Sequence, residues 1–500
     1  MTNCQAKNQE HEERLLIDGR LTTAKSGATF ENINPATEKV MGVVADASAE
    51  DMDRAIAAAR KAFDKTDWST NRALRKRCLE QLHAAIIAEK ELFRAELVAE
   101  VGTPISLTFG PQLEWPISDG LLWPARTIDT FPWTRKTSDQ TILGGKPTFR
   151  WVWKEAIGVV AAIIPWNYPF EIVINKIGPA LATGNTMVIK AASMTPWNAT
   201  RIGRLIAEKT EIPAGVVNVV TTQNHKVSQM LFTDPRVDMV SFTGSTATGK
   251  MALELGAPTF KRTLVELGGK SATIVLDDCN LVQVLPQAAF TACMHAGQGC
   301  ALPTRLLLPK SRYEEGISIL IESFKYIQCG DPNNIDTTVG PLVSAKQRDR
   351  VLGYIEKGKA EGARLVAGGG RPKHLKRGWY VEPTLFVDVD NMSTIAQEEI
   401  FGPVLAVIPF EDDEDAIRLA NQSRYGLSGF FWSASRERAL NLARKVRTGS
   451  MAINGGQFYG AESPYGGYKA SGIGRQGGIE GFEQYLETKA VGCEFPLKES

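Results

Sequence analysis

The sequence lacks a charge imbalance: 57 Lys and Arg stand against 56 Asp and Glu, a formal net charge of +1, with no block of like charges. That removes the electrostatic footprint by which a protein holds nucleic acid or an anionic membrane, so the expected partner is a small molecule. Long apolar runs are missing too. The longest, VVAAII at 159–164, is too short to cross a bilayer. The opening MTNCQAKNQEHEERLL is polar where a secretory leader needs an apolar core, so a cytoplasmic setting is expected. Histidine is scarce, with residues 11, 83, 225, 295 and 374 far apart and without ligand spacing, so no metal is expected. The seven cysteines (4, 78, 279, 293, 300, 329 and 493) are odd in number and contain no CxxC pair. That excludes a zinc ribbon or a disulfide scaffold and suggests reduced thiols.

What is present is a globular composition, 43% hydrophobic and 23% charged, over 500 residues, which is too long for one core. Up to about residue 110 the pattern reads as mostly helical, as in AEDMDRAIAAARKAFDKTDW, where Met52, Ile56, Ala59 and Phe63 recur at helical intervals. From 111 to 155 proline and tryptophan become frequent, and QTILGGKPTFRWVWKE alternates like an extended hairpin. Residues 156–266 then alternate strand and helix, and a second α/β block runs from about 267 to 455. Regular βα alternation implies a parallel sheet wrapped on both faces, with ligands at the carboxyl ends of its strands.

Four segments carry chemistry, each with a plainer alternative. FTGSTATGK, 242–250, opens a helix after a strand, where free N–H groups hold phosphate; it is also an ordinary strand-to-helix turn, without the GxGxxG or Walker pattern. In VELGGKS, Glu266 at an apolar strand end is either a base with a raised pKa or half of an ion pair. In IIPWNYPF, Asn167 is either an oxyanion donor or a turn residue before Pro169. In HAGQGCALPT, Cys300 between Gly299 and Ala301 is either a nucleophile with room for substrate or a small core residue.

Taken in order, PWNYP, KIGPALATGN, FTGS, VELGGKS, GQGC, EEIFGPV and PYGGYKASGIGR resemble the aldehyde dehydrogenase superfamily from about residue 15 to 490. The resemblance implies an α/β fold with two Rossmann-like open parallel-sheet domains and a small oligomerisation hairpin. It places an NAD(P)-binding domain at 15–130 and 155–263 and a catalytic domain at 264–465. Oligomerisation segments fall at 131–154 and 478–495, making a homo-oligomer, a tetramer first and a dimer second.

By the family's mechanism Cys300 attacks the aldehyde carbon, and the Asn167 amide and Cys300 N–H hold the oxyanion. Hydride leaves to the nicotinamide, and Glu266 activates the water that hydrolyses the thioester, with Lys176 counted in the catalytic set. The cofactor contacts implied are Ile164, Pro165, Trp166, Lys190, Ser193, Gly244, Ser245, Gly249, Leu267, Gly268, Glu399 and Phe401. The substrate wall implied is Tyr168, Ile172, Asn175, Met294, Gly299, Ala301, Phe458, Tyr459 and Tyr465, roomy and largely apolar, with no Lys or Arg for a second carboxylate. This favours hydrophobic, aromatic or terpenoid aldehydes over semialdehydes, and Glu171 in the same segment counts against a purely apolar wall.

Three positions depart from the family pattern. Ser193 stands where members that prefer NAD carry a glutamate that repels a 2′-phosphate, so NADP is expected to serve beside NAD. Gln476 stands where many relatives place a glutamate thought to relay protons with the lysine matching Lys176. Asn175 replaces a residue that is often aromatic. Two rival functions remain: transfer of the thioester to coenzyme A, whose enzymes typically lack the base matching Glu266, and a non-catalytic binding protein on the same fold.

Overall fold

The computed structural model describes residues 11–141 and 145–496. Cys4 and the first ten residues of the polar opening lie outside the described residues.

Residues that alternate along each central strand bury on opposite faces. In Val159–Ile163, Val160 and Ala162 enter one core with Met187, Ile189, Val217 and Val219, while Val159 and Ala161 enter another with Val188, Val220 and Val240. A strand covered on both faces shows no polar side, so its sequence is continuously apolar. The first sheet runs in the order Arg20–Thr22, Leu15–Ile17, Val217–Thr221, Thr186–Ala191, Val159–Ile163, Met239–Thr243, Arg262–Glu266, Gly472–Ile473. Its five central strands are parallel, as the alternation predicts, and its flanks are antiparallel.

A second sheet has the order Arg364–Ala367, Thr384–Val387, Val404–Phe410, Arg305–Pro309, Ala272–Val275, Ser428–Trp432, Ser450–Ile453. All its pairings are parallel except the first. A third, small sheet joins Leu486–Cys493 to Pro147–Ala156, which also pairs with Thr134–Lys136 and Gln140–Thr141.

The helix Ala49–Lys65 forms as its spacing predicts, with Met52, Ile56 and Ala59 fully buried and Phe63 half-buried under Arg60. The expectation of a mostly helical start fails before it. Residues 15–45 are extended, ending in the hairpin of Thr29–Asn34 with Lys39–Ala45. A signal was there: Asp18 and Gly19, both at positive φ, form the two-residue turn that pairs Ile17 with Arg20. The region from 111 also divides, into the helices Glu114–Asp119 and Leu122–Thr130 and then the extended hairpin.

Candidate active site

Register fixes what meets at the carboxyl edge of the first sheet. Ile163 lies opposite Lys190 and Phe242, and Thr243 opposite Glu266. The loops after these strands therefore bring Ile164 to Asn167, Lys190, Gly244, Ser245 and Glu266 to Gly268 to one edge, the ligand-binding edge of such sheets. The helix Thr246–Gly256 starts there, capped by Ser245 Oγ, which accepts from the Thr248 N–H at 3.2 Å. A Cβ on Gly249 would lie 2.3 Å from Leu267 Cδ2, so only glycine lets this helix seat against Leu267.

The groups at this edge fit a nicotinamide dinucleotide. Thr246 Oγ1 is buried without a partner beside the open first turn of the helix, a place suited to a phosphate oxygen. Lys190 is pushed down to about 8 by burial, with Asp46 as its opposing charge, and Ser193 is half-buried beyond it. Across the cleft, Trp166 and Phe401 meet edge to face at 5.2 Å. Phe401 has φ +59°, a left-handed backbone that a bulky residue holds only under constraint; Gln347 Nε2 donates to its carbonyl at 2.8 Å. Glu399 accepts from the Gly269 N–H at 3.0 Å and is raised to about 7 by burial. A Cβ on Gly268 would stand 2.3 Å from the Glu399 carboxylate.

Cys300 comes from the other sheet. After the helix Leu281–Cys293, His295, Ala296 and Gly297 all turn left-handed, with φ of 52°, 53° and 71°. The turn delivers Cys300 just ahead of Arg305–Pro309, its carbonyl against Gly269 of the first sheet's edge. Cys300 is half-buried, and burial followed by the Glu266 charge raises its thiol far above the ordinary range. Its Sγ lies 3.3 Å from the Tyr465 hydroxyl. The thiol thus stands among carboxyl groups, which disfavour its charged form.

Asn167 is buried and spends one amide hydrogen on the Gln298 carbonyl at 3.0 Å, leaving the other. Its own carbonyl accepts from Gln112 Nε2 and from His295 Nε2, both at 3.0 Å. Glu266 is buried, its Oε1 has no partner, and burial raises its carboxyl well above the usual range against the pull of Lys176 and Arg475. Lys176, fully buried and lowered to about 7, donates to Ser241 Oγ at 2.9 Å. Gln476 sits apart from that contact, its Nε2 at 3.4 Å from Thr243 Oγ1.

A cavity of about 370 Å³ is lined by Trp115, Trp123, Asn175, Tyr459, Tyr465 and Gln476, with Asp119 and Glu462 also on its wall. Of the implied substrate wall, Asn175, Tyr459 and Tyr465 line it; Phe458 stacks on Tyr465, Tyr168 packs on His295, Ile172 is buried and Met294 half-buried, none of these four on the cavity wall. Two expectations change here. The lining is mixed, because Asp119, Asn175, Glu462 and Gln476 share it with the aromatic rings, and the Asn175 amide donates to Glu171 and to the Tyr459 hydroxyl, the latter at 2.7 Å. Gly299 adds no room: the space a Cβ would fill is taken by Leu302, 2.8 Å away. Ala301 is held by its carbonyl, which accepts from Ser428 Oγ at 2.7 Å. Sequence reasoning missed Trp115 and Trp123, which sit on helices of the 111–130 region, Gln112 and Asp46, which no motif marks, and His295, which opens HAGQGCALPT but was weighed only as a metal ligand.

The profile of the aldehyde dehydrogenase family matches residues 21–491. The chain belongs to this family. It is an NAD(P)-dependent aldehyde dehydrogenase. The enzyme is 41% identical over 478 residues to a 3-succinoylsemialdehyde-pyridine dehydrogenase of a Pseudomonas species, covering 95% of this chain and 97% of that one. Its structure resembles an aldehyde dehydrogenase of Mycobacterium tuberculosis complexed with NAD+, at TM-score 0.92 and 40% identity, over 98% and 99% of the two chains. It also resembles the P. syringae indole-3-acetaldehyde dehydrogenase AldA, a mutant form in complex with NAD+ and IAA, at TM-score 0.91 and 36% identity over 98% of each chain.

Proposed function

We propose that the enzyme oxidises a hydrophobic aldehyde, aromatic in preference, to its carboxylic acid through a thiohemiacetal and a thioester on Cys300. The observation that carries this reading is the gathering of three groups: the Cys300 thiol against Tyr465 of the cavity wall, Glu266 with an unpartnered oxygen acting on that thiol, and Asn167 with a spare amide hydrogen, anchored to Gln298 two residues before Cys300. In this reading Cys300 Sγ adds to the carbonyl carbon, and the Asn167 amide meets the oxyanion where its charge develops. The dinucleotide, when bound, supplies the acceptor for the hydride. Glu266 then takes a proton from the water that cleaves the thioester. The first sheet serves as the dinucleotide-binding unit, with Lys190 toward the adenosine ribose, Ser245 at the pyrophosphate and Glu399 at the nicotinamide ribose. The second sheet presents the nucleophile.

Aromatic rings on the cavity wall and the absence of Lys and Arg from its described lining support the substrate class. So do the ring-bearing substrates in the names of the pyridine semialdehyde and indole acetaldehyde relatives. For the cofactor, Ser193 leaves no carboxylate at its own position, which supports use of NADP beside NAD. A second reading, NAD alone, is favoured by Asp46, whose charge acts on Lys190 where a 2′-phosphate would sit. The small sheet of 134–156 and 486–493 is the proposed contact of a tetramer, or failing that a dimer, and the setting is cytoplasmic.

The test is turnover of aromatic, branched unsaturated and straight-chain aldehydes with each dinucleotide, with and without coenzyme A. Acid as product, with Cys300→Ser reducing turnover at least about a thousandfold, is expected. Acyl-CoA as product would replace this reading with thioester transfer, and undiminished turnover by the serine variant would remove it. A kcat/KM preference for NAD beyond about a thousandfold rejects dual use, and Ser193→Glu is expected to confine a dual enzyme to NAD.

A further inference from the structure

The thiol that must become a nucleophile sits in a setting that opposes its charge. Burial raises it, and the carboxyl groups of Glu266, Glu399 and Glu171 act in the same direction from a strand, a loop and a helix packed around it. The leading charges on this sulfur among the described residues are these carboxyl groups, while Lys176 donates to Ser241 and acts on Glu266. One hydrogen-bond partner of Cys300 Sγ is found among the described residues, the Tyr465 hydroxyl at 3.3 Å.

Tyr465 is held in place by backbone and ring together. Its N–H donates to the Gln476 carbonyl and the Gln476 N–H donates to its carbonyl, both at 2.7 Å, an isolated antiparallel bridge. Beyond it Gly466 has φ +157° and Gly467 sits where a Cβ would be 2.3 Å from the Ser471 side chain, so the chain turns back sharply at this point. The ring lies nearly parallel to Phe458, at 6.4 Å and 12°, and edge-on to Tyr459 at 5.4 Å. With the ring clamped and 8% of the residue exposed, the hydroxyl is aimed at the sulfur. A buried phenol of this kind keeps its proton when a neighbouring thiol ionises.

Building on the assignment of Cys300 as nucleophile, we propose that Tyr465 is a further catalytic residue, whose hydroxyl donates a hydrogen bond to the Cys300 thiolate and so sets the fraction of enzyme ready to attack. In the thiol form either group donates; once the thiol proton has passed to solvent, only the phenol has a hydrogen to give. Sulfur bonded to carbon in the thiohemiacetal or thioester is a poor acceptor, so the bond is strongest in the free enzyme before attack. That difference makes the role visible in thiol chemistry without any aldehyde present.

The experiment compares wild type with Tyr465→Phe, which keeps the ring and removes only the O–H. Alkylation of Cys300 by iodoacetamide is followed by peptide mass from about pH 6 to about pH 10. The expected result is alkylation slower by about 10-fold across this range, the displacement of a profile whose midpoint lies higher by about one unit. In parallel, kcat/KM falls near neutral pH and recovers as pH rises, while dinucleotide affinity is unchanged. A tyrosine that only shaped the aldehyde site would move KM and leave the alkylation midpoint where it was. Superimposable alkylation profiles overturn the proposal, whatever aldehyde the enzyme turns over. Placing 3-fluorotyrosine at position 465 gives an independent arm: the stronger donor is expected to lower the midpoint, and a midpoint unmoved by it also overturns the proposal.

Discussion

At the residue scale, the site is built from groups whose burial sets their protonation. Burial raises the Glu266 carboxyl because the neutral acid is favoured away from water, and Lys176 offsets only part of that preference. A base works in its ionised form, so the deacylation rate is expected to climb with pH through the raised Glu266 value. Glu266→Gln is expected to flatten that rise and to slow thioester hydrolysis by about a hundredfold or more, while Cys300 still acylates. Single-turnover measurement of the first hydride product, separated from steady-state turnover, distinguishes the two steps. The same scale explains His295. A histidine on a left-handed backbone, lowered to about 4 by burial and therefore neutral, donates from Nε2 to the backbone carbonyl of Asn167, the proposed oxyanion donor.

At the element scale, the helix Pro169–Ala182 is where sequence and structure part company most usefully. It falls within the block read as alternating strand and helix, and Pro169, read there only as following a turn, opens its first turn. Its one turn of polar residues was legible only as composition, because the direction of Glu171 depends on Tyr459 of a distant loop through Asn175. Glu171 is raised to about 8 by burial. With a folded value above the unfolded one near 4.5, the folded chain keeps this proton while the unfolded chain releases it. Its contribution to stability therefore falls as pH rises from about 4.5 to about 8. Glu171→Gln is expected to remove this component, so that its melting temperature drops less than that of wild type between the two ends of that window. Glu171→Leu is expected to raise kcat/KM for apolar aldehydes by about 10-fold, since the polar partner of Asn175 on the cavity wall is removed. No gain with any apolar aldehyde would mean that Glu171 lies off the path of the substrate.

At the scale of the whole molecule, the reaction needs two sheets to meet. The carboxyl edge of one carries Asn167, Lys190, Ser245 and Glu266, and the turn before a strand of the other carries Cys300. A dinucleotide seated at that edge binds the folded chain and not the unfolded one. Saturation at about a hundred times Kd is expected to add about 2.7 kcal/mol to stability, read as a rise in the unfolding midpoint with NAD or NADP. The ratio of the two effects ranks the cofactors independently of turnover. A dinucleotide that left the midpoint unchanged at saturation would place its binding outside this edge. The edge also explains the departures from expectation: Asp46 faces Lys190 from the end of a hairpin far away in the chain, and Trp115 lines the cavity from a helix in a region whose prolines and tryptophans gave no periodic signal.

By itself, the sequence determined the alternation of strand and helix, the loops that carry Asn167, Glu266 and Cys300, and the family. These follow from local periodicity and from short motifs, which survive without any tertiary context. It did not determine that the first residues extend into a sheet edge, since strands of three residues carry too little pattern to compete with the helix that follows. Nor did it determine which neighbour bonds the nucleophile, which way Glu171 points or what fills the space beside Gly299. Those are contacts between side chains remote in sequence, and their partners are fixed only when the two sheets and the returning C-terminal loop pack together, because close packing, not spacing along the chain, sets the direction of each side chain.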